Sequence, residues 1–159
     1  MTGQVIILMG SKSDMEHAQA IVKALSAFEI PCTLRVASAH KSVRHLLDIL
    51  EQLDAATQPT VLIAIAGRSN ALAGMADANC VWPVITCPPA SSAFGGADLF
   101  SSLRMPSGVA PLVVLEPANA ALAAAKLLAL AEPSLRPRIA AYQAAMTAQV
   151  LEADSSVTV

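Results

Sequence analysis

Charge and aromatic rings are scarce in this chain. Of its 159 residues, 14% are charged and 3% aromatic, and the net charge is −2. A nucleic-acid partner calls for a cationic footprint, and single strands also need rings for bases to stack on, so no nucleic-acid partner is expected. Metal-ligand spacing is missing as well. The three cysteines, Cys32, Cys80 and Cys87, make neither a CxxC pair nor, with the histidines, a zinc pattern. They read as reduced, mostly buried thiols of a cytosolic protein, and no metal is expected. There is no basic-then-apolar leader, and no apolar run is long enough to span a bilayer. The expectation is a cytoplasmic protein with no membrane partner. GxGxxG, the Walker lysine loop and the GxSxG elbow are all absent, which argues against dinucleotide enzymes, P-loop nucleotide hydrolases and serine hydrolases.

Apolar residues are what the chain has in abundance, at 55%. A monomer this apolar exposes sticky patches, so a homo-oligomer is expected. The length fits a single domain over residues 1–159, with a core over about 4–131 and a C-terminal helix over about 134–153.

The stretch VIILMGSKSD sets the pattern. An apolar run, Val5 to Met9, stops at Gly10, and a helical pattern starts after Ser11, Lys12, Ser13 and Asp14. A strand that delivers a turn and a helix N-terminus makes an anion site from backbone N–H groups, the helix dipole and the two serine hydroxyls. The alternative is that Ser13 or Asp14 simply caps the helix. The pattern then repeats. Apolar residues at helical spacing cover 15–28, and CTLRVA at 32–37 alternates as a second strand with Leu34 and Val36 on one face. A second helix carries Val43, Leu46, Leu47, Leu50 and Leu53 on one side. VLIAIA at 61–66 is apolar throughout, as a central parallel strand covered on both faces must be. Helix-like residues follow at 71–79, then strands at 83–87 and 111–115, with a short helix expected within 99–104. An alanine-rich helix at 118–130 carries Lys126 as its only charge and calls for cover on nearly all sides. A last helix spans 138–153, and 154–159 should fray.

Strands alternating with helices give an α/β fold, a five-stranded parallel sheet with helices on both faces. Ligands then bind beyond the C-terminal strand ends, where strand order reverses. The polar clusters fall there: Gly10–Asp14, then Ser38-Ala39-His40-Lys41, then Gly67-Arg68-Ser69-Asn70. His40 is placed for acid/base work near neutral pH, Lys41 for holding a phosphate by charge, and Arg68 for gripping a phosphate or carboxylate in a fork. His17 and His45 lie inside helical patterns and read as structural or surface residues. The segment SSLRMPSG, at 101–108, reads as a lid, the floor of a neighbour's site, or an inert connection.

Taken together, MGSKSD, SAHK, AGRSNALAG, PPASSAFGG, SSLRMPSG and the alanine-rich helix with Lys126 resemble the catalytic subunit family of phosphoribosylaminoimidazole carboxylase, of purine biosynthesis. Lys41 and the run Gly67 to Leu72 are similar to its CO2-using class (class II) and not to the class that acts as N5-carboxyaminoimidazole ribonucleotide mutase. The resemblance implies a three-layer α/β/α flavodoxin-like subunit with an added C-terminal helix, in an octamer or tetramer. No metal or organic cofactor is implied. The implied partners are a nucleotide, aminoimidazole ribonucleotide, and CO2. On this reading His40 transfers the proton. Gly10, Ser11, Ser13, Asp14, Ser38, Lys41, Gly67, Arg68, Ser69 and Asn70 bind substrate. Ala71, Leu72, Pro88 and Pro89 border the CO2 and the ring. Ala73 stands where a serine is expected and would remove a hydroxyl near the site. Two other readings are carried: the mutase, and a non-catalytic phosphosugar-binding subunit.

Overall fold

A computed structural model describes residues 3–157. The strands are β1 (Gln4–Met9), β2 (Cys32–Val36), β3 (Thr60–Ile65), β4 (Val84–Thr86) and β5 (Leu112–Val113). The helices are α1 (Met15–Ser26), α2 (Val43–Asp54), α3 (Ala71–Ala78), α4 (Phe100–Leu103), α5 (Pro117–Leu128) and α6 (Leu135–Val157). All pairings are parallel, in the order β2-β1-β3-β4-β5. From β1 the chain steps outward to β2, then crosses back to lay β3 on the other side of β1. The reversal of strand order therefore lies between β1 and β3, joined in register from Gln4 opposite Thr60 to Met9 opposite Ile65.

The two-residue period of a strand divides the core into two layers. Val5, Ile7 and Met9 with Ile63 and Ile65 face α1 and α5, packing on Ile21, Leu25, Phe28 and the alanines 120, 121, 124 and 125. Ile6 and Leu8 with Leu62 and Ala64 face the other way, against Leu46, Ile49 and Leu50 of α2 and Leu72, Ala73 and Ala76 of α3. Every residue of β3 is buried, as its unbroken apolar run requires. Small side chains let α5 lie close on α1 and the sheet. Its Lys126 reaches solvent, so α5 is covered on one face and not all round.

Several boundaries differ from the sequence expectation for identifiable reasons. In the edge strand β2, Leu34 and Val36 lie in register with Ile7 and Met9, on the face that packs against the α1 layer at Cys32, yet both are exposed. Strand β5 shrinks to two exposed residues. In α2, Leu46 and Leu50 are joined in the core by Ile49, while Val43 and Leu47 stay at the surface. Helix α6 starts at Leu135, with Pro137 tolerated in its first turn, and runs to Val157, through the stretch expected to fray. Residues 158 and 159 lie outside the described part. Cys87 is buried, whereas Cys32 and Cys80 are only half so, and all three are free thiols. No helix among the described residues is long and apolar enough to cross a membrane.

Candidate functional site

Three strand ends open onto one cleft of about 630 Å³, within the range of small-molecule sites. Its walls come from the loops after β1, β2 and β3, and the segment after β4 closes a fourth side.

The loop after β1 is built by itself. Ser11, with extended backbone (φ −154°), caps a 3₁₀ turn over Lys12–Asp14 that runs into α1. Its Oγ accepts from the Ser13 N–H at 3.2 Å and from the Ser13 hydroxyl at 2.9 Å. The Ser11 N–H in turn donates to Asp14 Oδ2 at 3.0 Å, completing a reciprocal capping box. The cap is therefore Ser11 working with Asp14, and neither Ser13 nor Asp14 alone: Asp14 precedes α1 without a side-chain cap bond. Ser13 spends its proton on Ser11, which leaves the Ser11 proton to donate. Burial pushes the Asp14 carboxyl above its ordinary range, opposed by the Ser11 N–H bond and by the charges of His17 and Arg68.

The loop after β2 is equally local. Ser38 N–H donates to Ser42 Oγ at 2.8 Å, and Ser42 N–H returns to Ser38 O at 2.9 Å. Ser38 Oγ accepts from the backbone N–H groups of His40 at 3.3 Å and Lys41 at 3.2 Å. The turn thus presents both side chains, exposed, at the cleft.

The loop after β3 is built differently. Arg68 has φ 57°, in the left-handed region that costs a non-glycine residue about 1–2 kcal/mol. Asn70 begins α3 and is 4% exposed. Its Nδ2 donates to Thr86 Oγ1 at 2.7 Å and to Ser102 Oγ at 2.8 Å, and its Oδ1 accepts from Ala73 N–H at 3.4 Å. Its side chain is fully committed. Asn70 is therefore corrected from a substrate-binding residue to the post that holds the loop.

Gly10, Ser11, Ser13, Asp14, Ser38, His40, Lys41, Gly67, Arg68, Ser69, Leu72 and Pro89 all line the cleft. Ala71 does not. Pro88 borders instead a side chamber of about 250 Å³ that shares Pro89, Ser91 and Asp98 with the cleft and reaches Glu116. Ala73 is fully buried in the layer between the sheet and α3, so a serine there would meet the core and not the substrate space. Sequence reasoning missed Asp98 as a wall residue. The available signal was its place in the glycine-rich stretch past β4, the next strand end in the series. His45 is an exposed residue of α2. His17 is in α1, with Nε2 at 3.3 Å from Cys87 Sγ. Burial drives the Cys87 thiol from its ordinary 9.0 up to about 12, so it is protonated and a poor nucleophile at neutral pH. No cluster of three or more His, Cys, Asp or Glu among the described residues could hold a metal ion.

The cleft thus sets two cations, Lys41 and Arg68, and one histidine, His40, around a space that also carries the carboxylates of Asp14 and Asp98. An anionic ligand with hydroxyls to bind, and a proton to move near neutral pH, fits that set.

Comparison with known proteins gives a consistent answer. The family model described as AIR carboxylase matches residues 4–149. A phosphoribosylaminoimidazole carboxylase of Treponema denticola is 45% identical over 153 residues, covering 96% of each chain. One of Archaeoglobus fulgidus is 45% identical over 154 residues, which is 97% of this chain and 84% of the relative. The crystal structure of Treponema denticola PurE superposes with a TM-score of 0.96 at 44% identity, covering 99% of both chains.

Proposed function

The chain belongs to the AIR carboxylase family, and from that premise we propose that it serves purine biosynthesis by carboxylating 5-aminoimidazole ribonucleotide at C4 with CO2. The product is 4-carboxy-5-aminoimidazole ribonucleotide, and the reaction is reversible. The ring is an enamine whose C4 electron pair attacks the carbon of CO2. A C–C bond forms, one C–O π bond becomes the carboxylate, and C4 becomes tetrahedral. His40 then takes the C4 proton and the ring regains its aromaticity. In reverse, the imidazolium of His40 returns the proton to C4 and CO2 departs. No oxidant, reductant or substrate besides the nucleotide and CO2 is needed.

One observation carries this reading: His40, Lys41 and Arg68 open on a single cleft with the Gly10–Asp14 turn. His40 supplies an imidazole that can take and return a proton. The turn offers the 5′-phosphate or ribose its backbone N–H groups and the Ser11 hydroxyl, and Asp14 accepts from a ribose hydroxyl. Ser38 shapes the turn that aims His40 and Lys41, while Lys41 and Arg68 balance phosphate and carboxylate charge. Gly67, Ser69, Leu72 and Pro89 border the ring and CO2, and Ser13 braces Ser11. The whole chain acts as one domain, in the cytoplasm, as a subunit of a homo-oligomer. Exposed apolar residues on β2, β5 and α6, such as Val36, Leu112, Val150 and Leu151, support the assembly.

The test is direct. Enzyme, aminoimidazole ribonucleotide and bicarbonate are incubated without ATP, and formation of the C4 carboxylate is followed. Turnover is expected. Activity restricted to the N5-carboxylated substrate would overturn the direct carboxylase in favour of the mutase. His40→Asn should lower kcat by about 10²–10⁴-fold with substrate binding retained; unchanged function would instead indicate a binding subunit.

A further inference from the structure

The segment Ser101–Gly108 is a sequence motif to which the proposed reaction gives no role. Its first two residues, in α4, make hydrogen bonds that reach back across more than thirty positions to the loop after β3. Ser102 belongs to the buried post described above. Ser101 does something else. Its Oγ accepts from the Asn70 backbone N–H at 3.0 Å. Its single proton faces two carbonyls, Arg68 O at 3.1 Å and Asp98 O at 2.7 Å. One hydroxyl therefore bonds to the backbone on both sides of Ser69 and ties it to the segment carrying Asp98. Arg68 and Asp98 both line the cleft.

Arg68 is also the cleft residue whose backbone is strained, at φ 57°. A left-handed arginine persists only where its surroundings over-determine it. Its guanidinium is exposed and makes no salt bridge among the described residues, and its charge interaction with Asp14 does not fix its backbone. The restraint acts on the backbone, through Ser101 and Asn70.

We infer that Ser101 is a positioning residue that holds Arg68 in its left-handed conformation and so aims the guanidinium into the cleft. This rests on the reading that Arg68 contacts the charged part of the substrate. The hydroxyl is the working feature, and Ser101 is half-buried at the start of a short helix, so a threonine can take its place. An alanine cannot.

The experiment is a cycle of Ser101→Ala, Ser101→Thr, Arg68→Ala and the Ser101→Ala/Arg68→Ala pair. Steady-state kinetics with aminoimidazole ribonucleotide are measured beside amide hydrogen exchange at Asn70. Ser101→Ala should raise KM by about 3–10-fold with a smaller change in kcat, the size of one net hydrogen bond. Ser101→Thr should restore KM. In the Arg68→Ala background, Ser101→Ala should change KM by less than about 2-fold, because the group it aims is gone. Exchange at the Asn70 amide should quicken in Ser101→Ala and recover in Ser101→Thr. Additive effects on KM, or an unmoved KM, overturn the inference. So does unchanged exchange at Asn70. Exchange is read without substrate, so an enzyme inactive on this nucleotide sinks the proposed reaction while leaving the backbone restraint to be judged separately.

Discussion

The loops after β1 and β3 face each other across one cleft and are made in opposite ways. The first is closed by its own residues: Ser11, Ser13 and Asp14 bond one another within three positions. The second is held from far away, by Thr86, Ser101 and Ser102, which lie 16 to 32 positions from Asn70. A self-contained turn depends on its own sequence and little else. A remotely held loop is only as good as the packing of β4 and α4. The strained residue, Arg68, sits in the remotely held one. Local bonds suffice to form a cap, whereas a left-handed arginine needs tertiary support.

The contrast can be broken at its strongest point first. Asn70→Ala strips the donors from buried Thr86 and Ser102 and the acceptor from Ala73 N–H. The expected cost is about 3 kcal/mol. A thermal melt should show a fall of about 6–12 °C, and carboxylation should fall with it as Arg68 loses its support. A change under about 2 °C would mean that the remote post is dispensable.

The chain just past Thr86 can be probed by pH. Cys87 directly follows β4, and its folded thiol ionises near 12 against an ordinary 9.0. The unfolded chain therefore releases this proton first as pH rises past 9.0, and the folded state loses stability from there towards about 12. Below 9.0 both forms hold the proton and Cys87 makes stability no more pH-dependent. Melting temperature measured from neutral into alkaline pH should fall more steeply for the natural protein than for Cys87→Ala. Parallel slopes would show that the thiol is not held in its neutral form.

On the self-contained side the effects should be smaller. Ser11→Ala removes the cap and should cost about 1 kcal/mol, with the loop after β3 unaffected in hydrogen exchange. Smallest of all, Ser38→Ala deprives two exposed N–H groups that water can satisfy, for about 0.5 kcal/mol. Its effect should appear in kcat through the aim of His40 more than in the melt. A melt shift as large as that of Asn70→Ala would erase the distinction between the two kinds of loop.

The same distinction explains what could be read without a structure. The parallel sheet and the three polar clusters were legible, because apolar runs and the turns that end them are local signals. His40, Lys41 and Arg68 fell on strand ends, and the structure brings them to one cleft. Asn70 was misread, because a polar residue next to an arginine and a serine looks like one more ligand. Only the partners Thr86 and Ser102, far along the chain, turn it inward. Asp98 was missed for the same reason, since its place in the wall depends on how the segment after β4 folds back. Exposure of Leu34 and Val36 was not legible either: alternation says which residues share a face, not how much of the strand a helix covers.

The order β2-β1-β3-β4-β5 also sets a timetable. As the chain leaves the ribosome, β1 is made first yet must lie in the middle of the sheet. β2 can pair with one of its edges early, while the other edge waits until residues 60–65 have emerged. Closing that long loop makes docking of β3 the slow, entropically costly event. The turn at Gly10–Asp14 can form beforehand, but with nothing facing it. The opposite wall is locked only when Ser101 and Ser102 arrive, so a nascent chain halted before them carries the histidine but no closed cleft. The site is in this sense closed only once the segment after β4 has been made, and a ligand that needs both walls binds no chain halted before Ser101.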